Sequence, residues 1–139
     1  MPDGFTVAYT NSGTITQTVL TTAVAGITYI LQVDLGLRKD APNPGFADLI
    51  VNGNTILATG APLTTGDWTP YTATYTATAA DSGKSIEILL GSLSPQGDFD
   101  NVVLSAVPEV STWCMLLIGF AGIGFAAYRR KNNMAFRFA

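Results

Sequence analysis

The 139-residue chain contains no histidine and a single cysteine, Cys114. Without histidine, the commonest general base and the commonest metal ligand of proteins are absent. One cysteine cannot form a disulfide within the chain. Charged residues make up only 12% of the sequence, well below the usual quarter, and threonine, glycine, alanine and valine take their place. This composition is typical of an extracellular β-sandwich.

The sequence also lacks a secretory signal peptide at its start. Residues 1–5 contain no basic segment, and no apolar core follows them. Because the C-terminal region indicates export, we expect the chain to be truncated at its N-terminus or its start to have been assigned too late. The alternative is that the C-terminal apolar segment targets the chain as a tail anchor.

Charge is distributed unevenly along the chain. Residues 1–108 hold nine acidic and three basic side chains, a net charge of −6, whereas residues 109–139 carry +3. A negative main part repels phosphate backbones and anionic lipid surfaces, so we expect no nucleic acid partner. The length supports one domain, residues 1–107, followed by a tail.

The tail contains 19 successive uncharged positions, residues 110–128. As a helix they would extend about 28 Å, close to the bilayer core of about 30 Å. Aromatic rings favour the membrane interfaces, and a basic flank favours the cytoplasmic side. The segment therefore predicts a transmembrane helix; the alternative is a buried core helix with a basic C-terminus. The residues concerned are Trp113, Gly119, Gly122, Gly124 and Tyr128 in the helix, and Arg129, Arg130 and Lys131 after it.

The order of these features resembles the PEP-CTERM sorting signal of exported bacterial proteins, in which a Pro-Glu-Pro motif precedes a transmembrane helix and a basic cluster. The motif residues are Val107, Pro108, Glu109, Val110, Ser111 and Thr112. Val110 stands where that family has its second proline. The resemblance covers residues 108–131 and implies exosortase, a membrane-embedded transpeptidase, as the partner that processes the tail. Residues 132–139 form a short C-terminal extension.

The part before the tail consists of about eight short segments of alternating polar and apolar residues, separated by turn signals. Asn52-Gly53 is a strong signal for a two-residue hairpin. No helical pattern occurs before Trp113. The sequence therefore predicts an all-β fold, an antiparallel β-sandwich or jelly roll, followed by one C-terminal transmembrane helix.

Three segments resemble galactose-binding-like jelly-roll domains, namely residues 29–36, 67–71 and 98–104. The resemblance implies an ectodomain similar to carbohydrate-binding modules, from which a first strand is missing. Trp68 and Tyr71, together with Phe46 beside a proline-rich loop, are the candidate ligand-binding residues, because aromatic rings stack on sugar faces. The alternative for Trp68 is a place in the core.

Oxygen-bearing side chains gather at the start of the last predicted strand. Asp98, Asp100 and Asn101 are ligands of the kind that Ca²⁺ prefers, and they define a candidate structural calcium site. The alternative is that Asp100 and Asn101 bind backbone groups where the strand begins. Beyond this ion we expect no cofactor.

No set of catalytic residues is apparent. Asp34 and Glu87 lie within predicted strands, and a glycosidase requires two carboxylates, but nothing in the sequence brings them together. There is no Ser-His-Asp set and no phosphate-binding loop. We therefore expect a protein that is not an enzyme. Cys114 is expected to pack as a small apolar residue, and acylation is the alternative.

These features predict a non-catalytic protein of the surface or extracellular matrix of a biofilm-forming Gram-negative bacterium. The domain would first lie in the periplasm, held by a helix in the inner membrane. Exosortase would then process the tail and transfer the domain to the cell surface or the extracellular space, where it binds exopolysaccharide. The alternative, which Val110 favours, is a structural or adhesive β-sandwich held permanently in the membrane.

Overall fold

The computed structural model describes residues 5–40, 43–93, 95–108 and 110–133, with side chains in these ranges except at 110–113, 126 and 130–133. The chain divides into two compact units, Met1–Val107 and Pro108–Ala139.

The first unit is built of strands. In the described residues these are β1 (Ala8–Thr10), β2 (Gly13–Thr18), β3 (Ile27–Gly36), β4 (Phe46–Val51), β5 (Asn54–Leu57), β6 (Thr59–Gly60), β7 (Trp68–Thr76), β8 (Ile86–Ser92) and β9 (Gly97–Pro108). A short 3₁₀ helix, Ala79–Asp81, lies between β7 and β8.

The strands form two antiparallel sheets that pack face to face. One sheet has the order β1-β9-β3-β7-β6 and the other β2-β8-β4-β5. The predicted antiparallel sandwich is therefore confirmed, while the jelly-roll assignment stays a prediction. Since successive side chains of a strand point to opposite faces, each strand gives one row of side chains to the core.

The core lies between these two sheets. Leu31, Val33 and Leu35 alternate along β3 with polar or half-buried residues, and Leu49 and Val51 do the same on β4. Phe99 of β9 has the largest side chain among the fully buried residues of the core. Burial of such apolar surface is the main force that stabilises the sandwich.

The chain between Asn52 and Gly60 differs in part from the expectation. Asn52 and Gly53 have φ angles of 52° and 77°, as the two-residue hairpin requires. The expected single strand after the hairpin is split into β5 and β6, which belong to different sheets. Ala58 lies at the break, where its N–H donates to the Ala47 carbonyl at 2.8 Å and its side chain is buried.

One end of β7 is held by a buried carboxylate. Asp81 is 2% exposed and accepts hydrogen bonds from the Tyr75 hydroxyl (2.8 Å), the Asn52 amide (3.0 Å), and both the N–H (2.8 Å) and the hydroxyl (2.7 Å) of Thr78. The hydrogen bonds from Thr78, followed by those from Tyr75 and Asn52, hold the pKa of Asp81 well below its usual range. This carboxylate therefore joins the β4–β5 turn to the end of β7.

The second unit contains helix α1, Val110–Asn133. The helix continues through Arg129 instead of ending before the basic cluster. Among the described residues, no helix is long and apolar enough to cross a membrane. The structure thus does not bear out the predicted transmembrane helix. Several residues of the predicted sorting signal are not described: Glu109 lies outside the described residues, and so do the side chains of Val110, Ser111, Thr112, Trp113, Arg130 and Lys131.

Candidate active site

A pocket of about 240 Å³ lies at the end of the five-stranded sheet where β7 begins. Three neighbouring strands contribute to it through Asp98 on β9, Gly36 on β3 and Trp68 on β7. The β3–β4 loop adds Arg38 and Lys39 at the rim. The pocket thus combines an aromatic ring, a buried carboxyl group and two basic side chains.

The ring of Trp68 is held in place by a glycine on the neighbouring strand. Gly36 is directly opposite Trp68 in the β3–β7 register. A Cβ atom on Gly36 would lie only 3.0 Å from two carbon atoms of the indole, so the ring rests on the glycine backbone. Trp68 is half-buried, and a side chain larger than hydrogen at position 36 would displace it. The ring forms one wall of the pocket.

Asp98 reaches the pocket because of its neighbour on β9. Phe99 is fully buried and points into the core, so the adjacent Asp98 belongs to the opposite face of the strand. Asp98 is nevertheless only 7% exposed. Asp98 is thus a buried carboxyl group that lines a pocket.

A chain of hydrogen bonds leads from Asp98 to the surface. Gln96 Nε2 donates to Asp98 Oδ1 at 2.7 Å, and Arg38 Nη1 donates to Gln96 Oε1 at 2.6 Å. Arg38 also donates from Nε to Asp40 Oδ1 at 2.9 Å, and its Nη2 forms an ion pair with Asp40 Oδ2. We call this set of residues, Asp40, Arg38, Gln96 and Asp98, the polar chain.

The outer pair of the polar chain is mutually stabilised in its charged form. The hydrogen bond from Arg38 lowers the pKa of Asp40, and the hydrogen bond to Asp40 raises the pKa of Arg38. Both side chains are exposed, so the pair adds little to the stability of the fold. Its effect is to hold the guanidinium in one orientation beside Gln96.

The second oxygen of Asp98, Oδ2, is accessible. Among the described residues no hydrogen bond to Oδ2 is found, and no buried side-chain oxygen or nitrogen is without a partner. Oδ2 is therefore not sealed inside the protein. Because Asp98 lines the pocket, Oδ2 is the oxygen available to a bound molecule.

The predicted aromatic residues do not come together. Tyr71 belongs to the row of β7 that faces the core, where it packs against the core cluster and Gly60, whereas Trp68 belongs to the other row. Phe46 is on the other sheet, over Gly91. The three rings therefore form no common platform, and a ligand-binding role for Tyr71 and Phe46 stays a prediction.

The candidate calcium ligands lie close together on β9. Asp98 and Asp100 are both at most 9% exposed, and the Asn101 N–H donates to Asp100 Oδ1 at 2.9 Å. Asn101 has a φ angle of 49°, and its amide donates to Asp34 Oδ2 at 3.4 Å. Among the described residues, no group of three or more His, Cys, Asp or Glu is arranged to hold a metal ion.

Arg38 and Gln96 were not among the predicted site residues. Arg38 lies in a loop, and 58 positions separate it from Gln96, so only the fold brings them together. Gln96 lies just before β9, so the alternation of strand residues gave no signal for it either. Asp34 and Glu87, the carboxylates considered for an enzyme, lie on β3 and β8 of different sheets.

A second cavity, of about 350 Å³, lies between the two sheets. Its walls come from β2, β3, β8 and β9 and include Tyr29, Ile88 and Leu104. The Tyr29 hydroxyl accepts a hydrogen bond from the Val24 N–H at 3.0 Å. Within the described part of the chain, no carboxyl group lines this cavity. It offers apolar contact without a group that transfers protons at neutral pH.

A family profile matches most of the first unit. The profile is HpiC1-like, described as HpiC1 cyclase, and it covers residues 1–105. Comparison with curated proteins gave no significant match.

Solved structures of cyclases share the fold. A cyclase from Fischerella sp. TAU in complex with 4-(1H-indol-3-yl)butan-2-one superposes with a TM-score of 0.62 at 24% identity, covering 77% of this chain and 66% of that one. The Stig cyclase FisC of the same organism, in complex with (3Z)-3-(1-methyl-2-pyrrolidinylidene)-3H-indole, gives 0.61 with the same identity and coverage. The chain thus spans slightly less than two thirds of the length of these cyclases. The sugar-binding C-terminal domain of EclA is more distant, at a TM-score of 0.51 and 17% identity, covering 74% of this chain and 79% of that one.

These findings correct several expectations. The family match overturns the resemblance to PEP-CTERM proteins with a galactose-binding-like domain, and with it the non-catalytic surface or matrix protein. The expectation that the protein is not an enzyme is wrong, because the matching family is one of cyclases. Exosortase, membrane and polysaccharide as partners, and the inner-membrane and cell-surface localisation, are overturned with the assignment from which they came. That assignment came mainly from the short tail, which the profile does not cover.

Proposed function

The chain belongs to the HpiC1-like family, and from this premise we propose that it is a cyclase that closes a ring within a small indole-containing molecule. Residues 1–107 would carry this activity. We assign no part of it to residues 108–131 or 132–139. The observation that carries the proposal is the pocket that both Trp68 and Asp98 line.

Asp98 is proposed as the catalytic acid. Ring closure of an unsaturated molecule begins readily when a proton is added to it, and a positioned carboxylic acid supplies that proton. The Oδ2–H bond breaks and its electron pair stays on Oδ2, while the substrate gains the proton and becomes a cation. Attack by a second part of the same molecule forms the ring. The product then returns a proton to Oδ2, so substrate and product have the same composition.

Trp68 is proposed to bind and stabilise the cationic substrate. The face of an indole ring attracts positive charge and stacks on flat aromatic groups. Gly36 supports the ring from behind, so its position is fixed before the substrate binds. Little free energy is then spent on ordering the ring during the reaction. Two solved cyclases of Fischerella sp. TAU are in complex with indole compounds, which supports an indole-containing substrate here.

The proposal is tested by incubating the full chain with a panel of indole compounds that carry an unsaturated side chain. We expect a product of unchanged mass and altered chromatographic retention, detected by liquid chromatography with mass spectrometry. Binding of 4-(1H-indol-3-yl)butan-2-one, measured by calorimetry, is a separate readout. If no compound is isomerised and the indole ketone does not bind, the proposal fails.

As an alternative to the acid role of Asp98, a structural calcium ion at Asp98, Asp100 and Asn101 is a second proposal, since a carboxylate that binds Ca²⁺ stays ionised. It rests on the two buried carboxyl groups and on the hydrogen bond from Asn101 to Asp34, which brings a further carboxylate near. Carboxylate and amide oxygens suit this ion. The test compares the melting temperature in excess calcium with that in a chelator. A rise with calcium that Asp100→Asn abolishes supports a bound ion. Equal melting temperatures exclude one.

A further inference from the structure

The turn between β4 and β5, Asn52-Gly53, makes a contact that a hairpin does not require. Asn52 is exposed, and its Nδ2 donates to Asp81 Oδ1 at 3.0 Å, across 29 positions of the sequence. Asp81, by contrast, is only 2% exposed. We propose that Asn52 is a site of spontaneous deamidation and that Asp81 restrains this modification in the folded protein.

The reaction needs only the two turn residues and water. The backbone nitrogen of Gly53 forms a bond to Asn52 Cγ, and the bond from Cγ to Nδ2 breaks. Nδ2 leaves as ammonia with the electron pair of the broken bond and the proton of the Gly53 N–H. Water then opens the cyclic imide at one of its two carbonyl carbons. The products are aspartate, with the original backbone, or isoaspartate, in which the backbone continues through the side-chain carbonyl carbon.

Gly53 leaves its backbone nitrogen open to this attack. Apart from its chain neighbours, no atom lies within 4 Å of the place that a Cβ on Gly53 would occupy. Within the described part of the chain, no backbone hydrogen bond of a turn or loop involves the Gly53 N–H. Glycine also allows the backbone motion that ring closure needs. Asn11, the exposed asparagine of the β1–β2 turn, is followed by serine, whose side chain crowds the corresponding nitrogen.

The hydrogen bond to Asp81 opposes the reaction because it anchors the Asn52 side chain. Ring closure requires Cγ to approach the Gly53 nitrogen, and an anchored amide is not free to rotate there. Asp81 is itself held by the Tyr75 hydroxyl and by Thr78, so it does not follow the amide. Deamidation therefore requires a local release of the turn from Asp81, without unfolding of the whole domain.

The same contact makes the product of deamidation destabilising. The reaction replaces the donor Nδ2 by a carboxylate oxygen, so two acceptors face each other at Asp81 Oδ1. Both groups are negative at neutral pH, and like charges this close repel. The turn thereby loses its link to the end of β7. Isoaspartate also lengthens the backbone of the turn, against the pairing of Val51 with Asn54 that closes the hairpin.

The first test incubates the folded full chain at mildly alkaline pH and follows each asparagine by peptide mapping with mass spectrometry. We expect Asn52 to gain the mass of an amide-to-acid conversion before Asn11 does. Asp81→Ala should accelerate the conversion about fivefold, the factor that the loss of one hydrogen bond corresponds to. The matched control is Tyr75→Phe, which removes another hydrogen bond of Asp81 and keeps the one from Asn52. Conversion of Asn11 as fast as Asn52, or equal rates in the two variants, would overturn the proposal.

A second measurement needs no reaction and decides the matter even if Asp81→Ala does not fold. Asn52→Asp supplies the product directly and should lower the melting temperature at pH 7 by about 3–6 °C. The matched control, Asn11→Asp, adds the same charge to another exposed turn and should leave the melting temperature nearly constant.

The pH dependence identifies the cause of this loss. Because the pKa of Asp81 lies well below its usual range, Asp81 is still ionised at pH 3 and accepts a hydrogen bond from the introduced carboxyl group once that group is protonated. The loss in Asn52→Asp should therefore disappear at pH 3. Equal melting temperatures of Asn52→Asp and Asn11→Asp at pH 7, or a loss that persists at pH 3, would contradict the proposal.

Discussion

The two ends of β7 each have a buried aspartate nearby, and the two carboxyl groups differ in the number of hydrogen bonds that they accept. Near Thr76, Asp81 is 2% exposed and accepts four hydrogen bonds. Near Trp68, Asp98 is 7% exposed. Within the described part of the chain it accepts one hydrogen bond, from Gln96. Burial is similar at both ends, but the number of donors is not.

The number of donors distinguishes a carboxylate with a structural role from one that is proposed to transfer a proton. The donors around Asp81 hold its pKa well below its usual range, so it stays ionised and cannot supply a proton. Its four hydrogen bonds join three chain segments. Asp98 keeps one oxygen accessible in a pocket that also contains an aromatic ring. A buried carboxyl group with one accessible oxygen is suited to proton transfer. A carboxylate whose oxygens all accept hydrogen bonds is suited to holding strands together.

The largest effect on activity is expected at the end of β7 near Trp68, where Asp98 lies. Asp98→Asn should lower kcat/KM for the cyclisation by about 100-fold or more, since an amide cannot donate an acidic proton. The melting temperature should change little, because the side chain keeps its shape and its contact with Gln96. The control is Glu87→Gln, which removes a carboxylate from the other sheet. Activity that survives in Asp98→Asn would show that the acid lies elsewhere.

At the end of β7 near Thr76, where Asp81 lies, a substitution should affect the stability of the fold. Asp81→Asn leaves donors without acceptors and should lower the melting temperature by about 5–10 °C at pH 7. Activity measured well below that temperature should be unchanged. Asp40→Asn removes the same charge from an exposed site and should leave the melting temperature nearly constant. Equal melting curves for wild type and Asp81→Asn would refute the structural role.

The pH dependence of stability follows from the lowered pKa of Asp81. A lowered native pKa means that the stabilising effect is complete above the unfolded value, about 3.9, and is lost as the pH falls below it. Wild-type protein should therefore lose stability below about pH 4 more steeply than Asp81→Asn. Chemical denaturation at pH 3 and pH 7 measures this difference directly; parallel losses in both proteins would contradict it.

A smaller effect is expected at the aromatic wall. Trp68→Leu should reduce kcat/KM by about tenfold, because the ring face that attracts a cation is lost while apolar volume remains. Trp68→Phe should retain more activity than Trp68→Leu, since a ring face is still present. The proposed role of Trp68 fails if Trp68→Leu and the wild type have the same kinetics.

The smallest effect concerns a third buried aspartate, Asp48 on β4. It is 8% exposed, and burial raises its pKa. Its neighbours across the β4–β5 and β4–β8 pairings are Leu57 and Leu89. Ionisation of Asp48 then costs stability as the pH rises above the unfolded value. Asp48→Asn should raise the melting temperature at pH 7 by about 1–3 °C, and the gain should vanish at pH 3. Glu87→Gln, on the neighbouring strand, should show no such gain.

Much of the fold was predictable because it is encoded locally. The alternation of polar and apolar residues and the Asn52-Gly53 turn predicted the strands and a hairpin that the structure contains. The split of residues 54–60 between two sheets was not predictable, since the break at Ala58 depends on a hydrogen bond to Ala47 on β4.

The site was predicted only in pieces. Trp68 and Asp98 were both singled out, but for a sugar platform and a calcium site, because the pairing of distant strands that places them in one pocket leaves no local signal. Arg38 and Gln96 were missed for the same reason. The tail misled the functional interpretation, because its apolar and basic residues match a sorting signal while the family is recognised in residues 1–105.

The central claim is that an indole compound binds between Trp68 and Asp98. Its most direct test is a nuclear magnetic resonance titration of nitrogen-15-labelled full chain with 4-(1H-indol-3-yl)butan-2-one. The account predicts saturable shifts of the Trp68 indole N–H and the Asp98 amide, both lost in Trp68→Leu. The largest shifts at Tyr29 and Leu104, in the cavity between the sheets, or no shifts at all, would contradict it.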